Sequence, residues 1–346
     1  MIPESSPPSA RTSPAENGRE AFRPFPSEFA GLDALARRTG HEPVSVEVLP
    51  GDVGRRRYLR LRLPENRTVL GVVYPPEESD SRRRWLLARA ALEPHVRVPK
   101  LIADDGEANQ LVEDFGSEDL AARLLSHASE RERGLGSAVG AAAVVAGITD
   151  PAVNPAFDFA LFRRELELAR EAVFDLHLRQ PLSPVEREAH DQWADALCRE
   201  MLGHPRALCH RDFHGNNLFP SDDQVAAIDF QDMRTGPDSY DLASLLWERT
   251  TLDWMTPELA QAMIQEFARL RSLDAATFRR RFDRVLLQRA WKVCGTFARA
   301  VAQGRGEVYR RYLPGEIALV GRLLGDSEPD RSFRRVYEAR LVPLLS

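Results

Sequence analysis

Two aspartates and an asparagine carry the clearest chemical potential in this sequence. Asp212 lies in a His-Arg-Asp tripeptide, Asn217 follows it by five residues, and Asp229 comes directly after the apolar residues 225–228. A short apolar run of this kind is typical of a buried strand, which would present Asp229 at its end. Carboxylate and amide oxygens are ligands that Mg²⁺ prefers, and the ion usually keeps several waters beside them. One aspartate and the asparagine are therefore candidates for holding magnesium.

The order of these three residues is typical of enzymes that transfer a phosphoryl group from a nucleotide. In that chemistry a loop aspartate orients the attacking hydroxyl and accepts its proton late, because the transition state is loose. An asparagine of the same loop and an aspartate after a strand hold the Mg²⁺ that bridges the nucleotide phosphates. The sequence thus predicts Asp212 as the catalytic residue, Asn217 and Asp229 as metal ligands, and ATP with Mg²⁺ as cofactors.

Three segments of the same region resemble a known family. They are HRDFHGNNLF (210–219), AIDFQD (227–232) and GPDSYDLASLL (236–246), and they are similar to segments of the aminoglycoside phosphotransferase-like small-molecule kinases. The DFQD form resembles a narrower branch, the anomeric kinases that phosphorylate N-acetylmuramate and N-acetylglucosamine at C1. The resemblance implies an ATP-dependent sugar kinase of peptidoglycan recycling. It also implies an α+β, bilobal protein-kinase-like fold, with an antiparallel-sheet N-lobe and a mainly helical C-lobe.

The resemblance also gives roles to residues around the metal ligands. His210 is expected to pack and to form hydrogen bonds that hold the catalytic loop. Asp241 resembles the aspartate whose carboxylate braces that loop through backbone N–H groups. Gln231 and Asp232 adjoin the second metal ligand, and contact with the metal and contact with the sugar remain alternatives for both.

The elements that must position the nucleotide lie upstream. Apolar alternation predicts strands over residues 44–49 and 58–63, and the segment between them contains Gly51 and Gly54. Backbone amides can approach phosphate only where side chains are small, which makes both glycines candidates for nucleotide contact. A plain hairpin turn is the alternative interpretation.

The next predicted strand, residues 69–74, lacks a lysine. Protein kinases place one there to pair with the α- and β-phosphates and with a helix glutamate. The chain contains only Lys100 and Lys292, and neither lies in this strand. Another cation must therefore replace it, and Arg57 and Arg60 are candidates by position.

Residues 110–116, QLVEDFG, resemble the interlobe hinge of the family. This implies that backbone groups around Glu113 and Phe115 meet the adenine edge. Residues before 25 are rich in Pro and Ser without apolar periodicity, which predicts disorder. The sequence therefore predicts three parts, namely a disordered tail, a nucleotide-binding lobe and a catalytic and substrate-binding lobe: 1–24, 25–115 and 116–346.

A predicted helix over residues 282–301 bears on the substrate. Its apolar stripe is flanked by a face that carries Arg289 and Lys292, and a solvated face is the ordinary explanation of such a pattern. The segment QRAWKVCGTFARA nevertheless resembles one in the anomeric kinases. Because C-terminal helices form the acceptor-side wall in related enzymes, the resemblance makes Arg289 and Lys292 candidates for pairing with the lactyl carboxylate of N-acetylmuramate.

Composition limits the possible partners. The 346 residues are 43% hydrophobic and carry a net charge of -5, which suits a packed two-lobed enzyme and gives no indication of a nucleic-acid or membrane partner. Cys198, Cys209 and Cys294 show no CxxC spacing, which favours reduced, buried thiols. We expect a cytoplasmic enzyme whose partner is a small amino sugar. The oligomeric state does not follow from the sequence.

Two other functions remain open at this stage. One is a small-molecule kinase of the same fold that acts on an aminoglycoside, choline or homoserine. The other is a nucleotide-binding pseudokinase, which the missing strand lysine suggests and the intact Asp212, Asn217 and Asp229 oppose.

Overall fold

A computed structural model describes residues 25–50, 56–222, 224–304 and 307–345 of the chain. The expected disordered tail and the segment with Gly51 and Gly54 lie outside the described residues. The described strands are β1 (Ser45–Val48), β2 (Arg57–Arg62), β3 (Thr68–Val73), β4 (Leu101–Asp104), β5 (Asn109–Glu113), β6 (Arg206–Cys209), β7 (Leu218–Ser221), β8 (Gln224–Ala227) and β9 (Arg234–Pro237).

Helices make up most of the chain beyond β5. The described helices are α1 (Ala30–Arg38), α2 (Ser79–Leu92), α3 (Leu120–Ser126), α4 (Arg131–Val145), α5 (Phe159–Arg170), α6 (Pro184–Leu202), α7 (Tyr240–Leu246), α8 (Pro257–Leu270), α9 (Ala275–Ala302), α10 (Glu307–Leu323) and α11 (Glu328–Arg340). A π-helical segment, Glu171–His177, continues α5.

The first five strands form one antiparallel sheet in the order β1-β2-β3-β5-β4. Side chains alternate across a strand, and β2 uses the two faces differently. Leu59 and Leu61 are fully buried in a small core with α1, while Tyr58 packs toward the main core. The other face of β2 is therefore free to line a cleft.

The helical part packs around α9, the longest helix. Gly295 allows α9 to approach α5 closely, because a Cβ at this position would lie 2.4 Å from the Cα of Ala169. Trp291 of α9 stands edge-on to Trp193 of α6 and to Phe333 of α11, with ring centroids 6.1 and 5.4 Å apart. The expected antiparallel-sheet N-terminal part and mainly helical C-terminal part are thus confirmed, while the boundary near residue 115 stays a prediction.

Two short antiparallel pairs lie between these parts. In the β7–β8 hairpin, Leu218 is opposite Ala227, and in the β6–β9 pair, Cys209 is opposite Arg234. The segment from β6 to β7 contains residues 210–217. In each pair, the residues that directly flank the two paired strands therefore lie at the same end of the pair.

Two observations concern the chain as a whole. All three cysteines are buried free thiols, as the sequence predicts. Among the described residues, no helix combines the length and the apolar character that crossing a bilayer requires.

Candidate active site

The loop between β6 and β7 brings Asp212 and Asn217 together. The side-chain amide nitrogen of Asn217 donates a hydrogen bond to the backbone carbonyl of Asp212 over 2.9 Å, which leaves its side-chain oxygen available to a ligand. The backbone N–H of Ile228 donates to the carbonyl of Asn217 over 3.0 Å. The hairpin register therefore places Asp229, one residue further on, beside Asn217.

Asp241, near the start of α7, braces the loop between β6 and β7. We call this loop, residues 210–217, the catalytic loop after its expected role. The two carboxylate oxygens of Asp241 accept hydrogen bonds from the backbone N–H groups of His210 and Arg211, over 2.6 and 2.9 Å. The Nε2–H of His210 donates to the carbonyl of Ile228 over 2.9 Å, which ties the loop to the strand before Asp229. These bonds fix the backbone before and after the expected metal ligands, Asn217 and Asp229.

Two residues of the site hold a left-handed backbone. Arg211 has φ of 82° and Asp229 has φ of 64°. This conformation is uncommon outside glycine, and it costs about 1–3 kcal/mol per residue unless the surroundings enforce it. The hydrogen bonds accepted by the carboxylate of Asp241 and by the carbonyl of Ile228 supply that enforcement, which indicates that the side-chain directions here are fixed before any ligand arrives.

The carboxylate of Asp229 has two side-chain donors in this structure. Nη2 of Arg56 and Nε2 of Gln231 both donate to its Oδ1, each over 3.0 Å. Phe230, which follows it, is fully buried and stacks on Trp85 of α2 with ring centroids 5.6 Å apart. Asp229 is therefore anchored to the β7–β8 hairpin, to Arg56 beside β2 and, through Phe230, to α2.

A cleft of about 420 Å³ lies under the sheet, and we call it the nucleotide cleft. Its volume is in the range typical of small-molecule sites. Glu113 and Phe115 contribute to the wall where the sheet ends, and Asn217, Asp229 and Gln231 form the opposite edge. The remaining wall is largely apolar and aromatic: Leu49, Pro50, Tyr58, Leu70, Val72, Tyr74, Trp85, Pro99, Val112, Phe219 and Ile228.

Arg56, the residue directly before β2, lines this cleft. Besides its bond to Asp229, its Nε lies 3.7 Å from the carboxylate of Glu78, which directly precedes α2. Arg57 is exposed on the opposite face of the strand. Arg60 does line the cleft, but it pairs with Asp114 over 2.7 Å. Of the arginines in this run, Arg56 therefore has the contacts that a replacement for the strand lysine requires.

The pKa of Asp212 reflects a balance of burial and neighbouring cations. Burial alone would raise it, but the positive charges of Lys292, Arg289 and Arg211 outweigh burial and hold the pKa below its usual value. Asp212 is therefore ionised at neutral pH, as a hydrogen-bond acceptor for a hydroxyl must be. By contrast, burial lowers the pKa of the neighbouring His214 to about 4, which leaves this imidazole neutral.

Lys292 of α9 and Glu165 of α5 form an ion pair beside the catalytic loop, with Nζ 3.0 Å from Oε1. The same Oε1 lies 3.6 Å from Nη2 of Arg211, and Gln288 donates to the other carboxylate oxygen over 2.9 Å. Burial would raise the pKa of Glu165, yet these partners lower it on balance. We call Glu165, Arg211 and Lys292, together with nearby Arg234, the charged cluster.

Arg289 takes a different position from the one expected of a substrate-binding residue. It is only 8% exposed, and it donates to the backbone carbonyl of Arg211 over 3.2 Å and to the hydroxyl of Ser244 over 2.7 Å. Its guanidinium also lies 4.7 Å from the centre of the Tyr240 ring. These contacts make Arg289 a support behind the catalytic loop.

The structure separates the other expected substrate residues by their contacts. Gln231 is 2% exposed, and its amide donates a hydrogen bond to the carboxylate of Asp229, the expected metal ligand. Asp232 is half-buried, and its charge acts on Arg211 and Arg234. Arg56, Glu165 and Arg234 were not among the site residues predicted from the sequence.

The donor set tests whether a magnesium ion suits the site. Asn217 and Asp229 line one cavity and supply an amide oxygen and a carboxylate, of which Oδ1 of Asp229 also accepts from two side-chain nitrogens. Hard oxygen donors, few in number and next to space for water and phosphate, are what Mg²⁺ requires. The residues present therefore fit the ion.

The sheet-over-helices architecture, the braced catalytic loop and the two oxygen donors define the protein-kinase-like class of phosphotransferases. Comparison with solved structures agrees. The structure of the gentamicin–APH(2″)-IIa complex matches with a TM-score of 0.60 at 13% identity, covering 90% of this chain and 99% of that one. A choline/ethanolamine kinase family protein from Mesorhizobium loti matches with a TM-score of 0.59 at 14% identity, covering 89% and 98%.

The chain belongs to the phosphotransferase enzyme family, whose model matches residues 45–312. Similar curated proteins are named N-acetylmuramate/N-acetylglucosamine kinase. That of Pseudomonas aeruginosa is 29% identical over 265 residues, covering 73% of this chain and 76% of the relative. That of Neisseria meningitidis serogroup B is 27% identical over 272 residues, covering 76% and 80%.

Proposed function

We propose that this chain is an ATP-dependent sugar kinase that phosphorylates the anomeric C1 hydroxyl of N-acetylmuramate, N-acetylglucosamine or both, in peptidoglycan recycling. The observation that carries the proposal is that Asn217 and Asp229 line one cleft while the side chain of Asn217 is hydrogen-bonded to the backbone of Asp212. The names of the relatives at 26–29% identity support the choice of acceptor. The fold alone would not distinguish this acceptor from an amino alcohol or an antibiotic.

ATP would lie in the nucleotide cleft. The apolar and aromatic side chains under the sheet suit the adenine ring, and the strand end at Glu113 and Phe115 offers backbone groups to its edge. Arg56, held by Glu78 and Asp229, would place a fixed positive charge where the phosphates emerge. A preorganised cation of this kind stabilises charge without reorganising during the reaction.

Asn217 and Asp229 would hold Mg²⁺, which neutralises phosphate charge when bound. Gln231 orients the Asp229 carboxylate, and the bond from Asn217 to the backbone of Asp212 couples the metal ligand to the catalytic residue. Replacement of Asn217 or Asp229 should therefore impair use of the nucleotide more than binding of the acceptor.

Asp212 would orient the acceptor. Its carboxylate accepts a hydrogen bond from the C1 hydroxyl, whose oxygen forms a bond to the γ-phosphorus while the bond from that phosphorus to the β,γ-bridging oxygen breaks. ADP leaves, and the hydroxyl proton passes late to Asp212. The surrounding cations keep this carboxylate ionised before the reaction, and the braced loop keeps it aimed.

A coupled assay of ADP release with a panel of acceptors tests the proposal. The expected result is turnover with N-acetylmuramate or N-acetylglucosamine, and phosphorus NMR of the product should show an α-1-phosphate. A 6-phosphate product would overturn the anomeric assignment while keeping a sugar kinase.

Other outcomes would support the alternatives. Turnover with choline, homoserine or an aminoglycoside, and with neither sugar, would mean another small-molecule kinase of the same fold. Nucleotide binding without transfer to any acceptor would mean a pseudokinase.

A further inference from the structure

The β6–β9 pair places two arginines near the catalytic aspartate. Arg234 begins β9 directly opposite Cys209, the last residue of β6, and Arg211 lies two residues beyond the end of that strand. The guanidinium carbons of Arg211 and Arg234 each lie 5.5 Å from the centre of the Phe157 ring. One aromatic ring thus supports two cations, and one of them adjoins Asp212 in sequence.

The two arginines differ in their partners. Arg211 shares the carboxylate of Glu165 with Lys292, at 3.6 and 3.0 Å. Arg234 has no carboxylate within ion-pair distance in the part of the chain that the structure describes, and its Nε is buried without an acceptor there. Arg281, which also packs near β9, shows the contrast, because it pairs with Asp238 over 2.7 Å.

The charges around Arg234 do not balance it at close range. Asp232 and Glu165 act on it only from a distance, while burial and the like charge of Arg211 together lower the pKa of Arg234. Two like charges side by side destabilise each other unless an anion lies near both. Glu165 and Asp232 act on both arginines, but among the described residues Arg234 has no direct ion-pair partner, which leaves its guanidinium able to bind a further negative group.

The other cations of this region are already committed. Arg289 is buried and bonded to a backbone carbonyl and a hydroxyl, and Lys292 is paired with Glu165. Arg211 has only the 3.6 Å contact with Glu165, and the Nε atoms of Arg211 and Arg234 are both buried without an acceptor among the described residues. The planar fork of Arg234 matches the two oxygens of a carboxylate.

We infer that Arg234, with Arg211 beside it, is a carboxylate-binding subsite for the acceptor. It would bind the lactyl group by which N-acetylmuramate differs from N-acetylglucosamine, and it would set the preference between these two sugars. The inference rests on the proposed function, because it takes the acceptor to be one of them.

Arg234→Gln tests the subsite with a matched pair of substrates. The measured quantity is kcat/KM for N-acetylmuramate divided by kcat/KM for N-acetylglucosamine. Loss of a charge-assisted bidentate pair should lower this ratio by about 30-fold. The ratio does not depend on the active fraction of the preparation, so partial misfolding of the variant cannot imitate the effect. Arg234→Lys keeps the charge without the fork and should give an intermediate ratio.

Arg206→Gln is the matched control. Arg206 lies at the other end of the same strand pair, opposite Pro237, and it donates to the backbone carbonyls of Phe157 and Thr235. Its loss weakens the same support without removing charge beside Asp212. The control should lower both specificity constants together and leave their ratio unchanged.

The outcomes separate the two proposals. An unchanged ratio in Arg234→Gln, or an equal change in Arg206→Gln, overturns the subsite and leaves the sugar kinase intact. Wild-type turnover of N-acetylglucosamine alone also overturns the subsite. Wild-type turnover of neither sugar overturns the proposed function and the subsite together.

Discussion

The nucleotide cleft and the charged cluster both adjoin the catalytic loop, but the chain builds them in different ways. The cleft takes its polar groups from one face of β2 and from the ends of the β7–β8 hairpin. The charged cluster joins α5, a loop, β9 and α9, and the bonded pair Gln288 and Glu165 is 123 residues apart. Short-range geometry therefore fixes the pair Asn217 and Asp229, whereas long-range packing brings Arg56, 173 residues away, to Asp229 and also builds the charged cluster.

The largest expected effect comes from changing Asp212, which lies in the loop that both regions adjoin. Asp212→Asn should lower kcat by about 10³, because the variant keeps the shape but loses the ionised acceptor for the hydroxyl. Nucleotide affinity, measured by calorimetry, should stay within about twofold of wild type, since the cleft does not depend on this side chain. Asp80→Asn, on the exposed face of α2, is the control. A large loss of affinity would show that the two regions are not separable in this way.

The second prediction breaks the helix packing behind the charged cluster. Gly295→Ala should lower the free energy of unfolding by about 3 kcal/mol, because the added methyl meets the backbone of Ala169. Urea denaturation measures it. Gly140→Ala, in α4, has open space at its Cβ and should instead stabilise the fold by up to about 1 kcal/mol. Equal effects of the two variants would contradict the close α5–α9 crossing.

The third prediction concerns a buried carboxyl group of α10 near Arg289. Burial raises the pKa of Glu316 to about 8, whereas its ordinary value is 4.5. Folding therefore binds a proton between these two values, and this contribution to stability declines as the pH rises from about 4.5 to about 8.

Glu316→Gln should remove that decline, because the amide stays neutral. It should raise the free energy of unfolding at pH 7 by on the order of 2 kcal/mol, with little gain near pH 4.5. Thermal unfolding followed across this pH range measures the difference. A gain that does not depend on pH would exclude a buried neutral carboxyl.

The smallest expected effect sharpens the description of the nucleotide cleft. Arg56→Gln should raise the KM for ATP by about tenfold, through loss of one charge-assisted contact, and Arg56→Lys should restore part of it. The neighbouring Arg57→Gln is a matched control, because Arg57 is exposed on the other face of β2. If Arg57→Gln had the larger effect, Arg56 would not be the cation that replaces the strand lysine.

The catalytic loop and the β7–β8 hairpin were predictable because their information is local. The spacing from Asp212 to Asn217, and the short strand before Asp229, place these residues together in any chain that closes the hairpin. Arg56 was also within reach, since strand alternation puts it on the same face as Tyr58 and Arg60. Position along the chain favours Arg57 and Arg60, but strand alternation separates Arg57 from Arg56 and Arg60.

The charged cluster was not predictable from the sequence. Arg234 and Glu165 lie in an arginine-rich, glutamate-rich chain where single charges carry no signal, and only tertiary packing brings them near Asp212. The bounds of α9 were predicted only in part. The sequence predicts a helix over residues 282–301, whereas α9 already begins at Ala275 and ends at Ala302. The carboxylate of Asp274 accepts a hydrogen bond from the backbone N–H of Thr277, and an aspartate before such a run is a recognised helix start.

The left-handed backbone at Asp229 has a consequence for damaged copies of this enzyme. A glycine there would relax the strained backbone while deleting the expected metal ligand and the acceptor for Arg56 and Gln231. Relief of strain and loss of activity would then arise from the same single change. An inactive Asp229→Gly variant could accordingly still accumulate as folded protein, so the amount of protein in a cell would not report whether it turns over substrate.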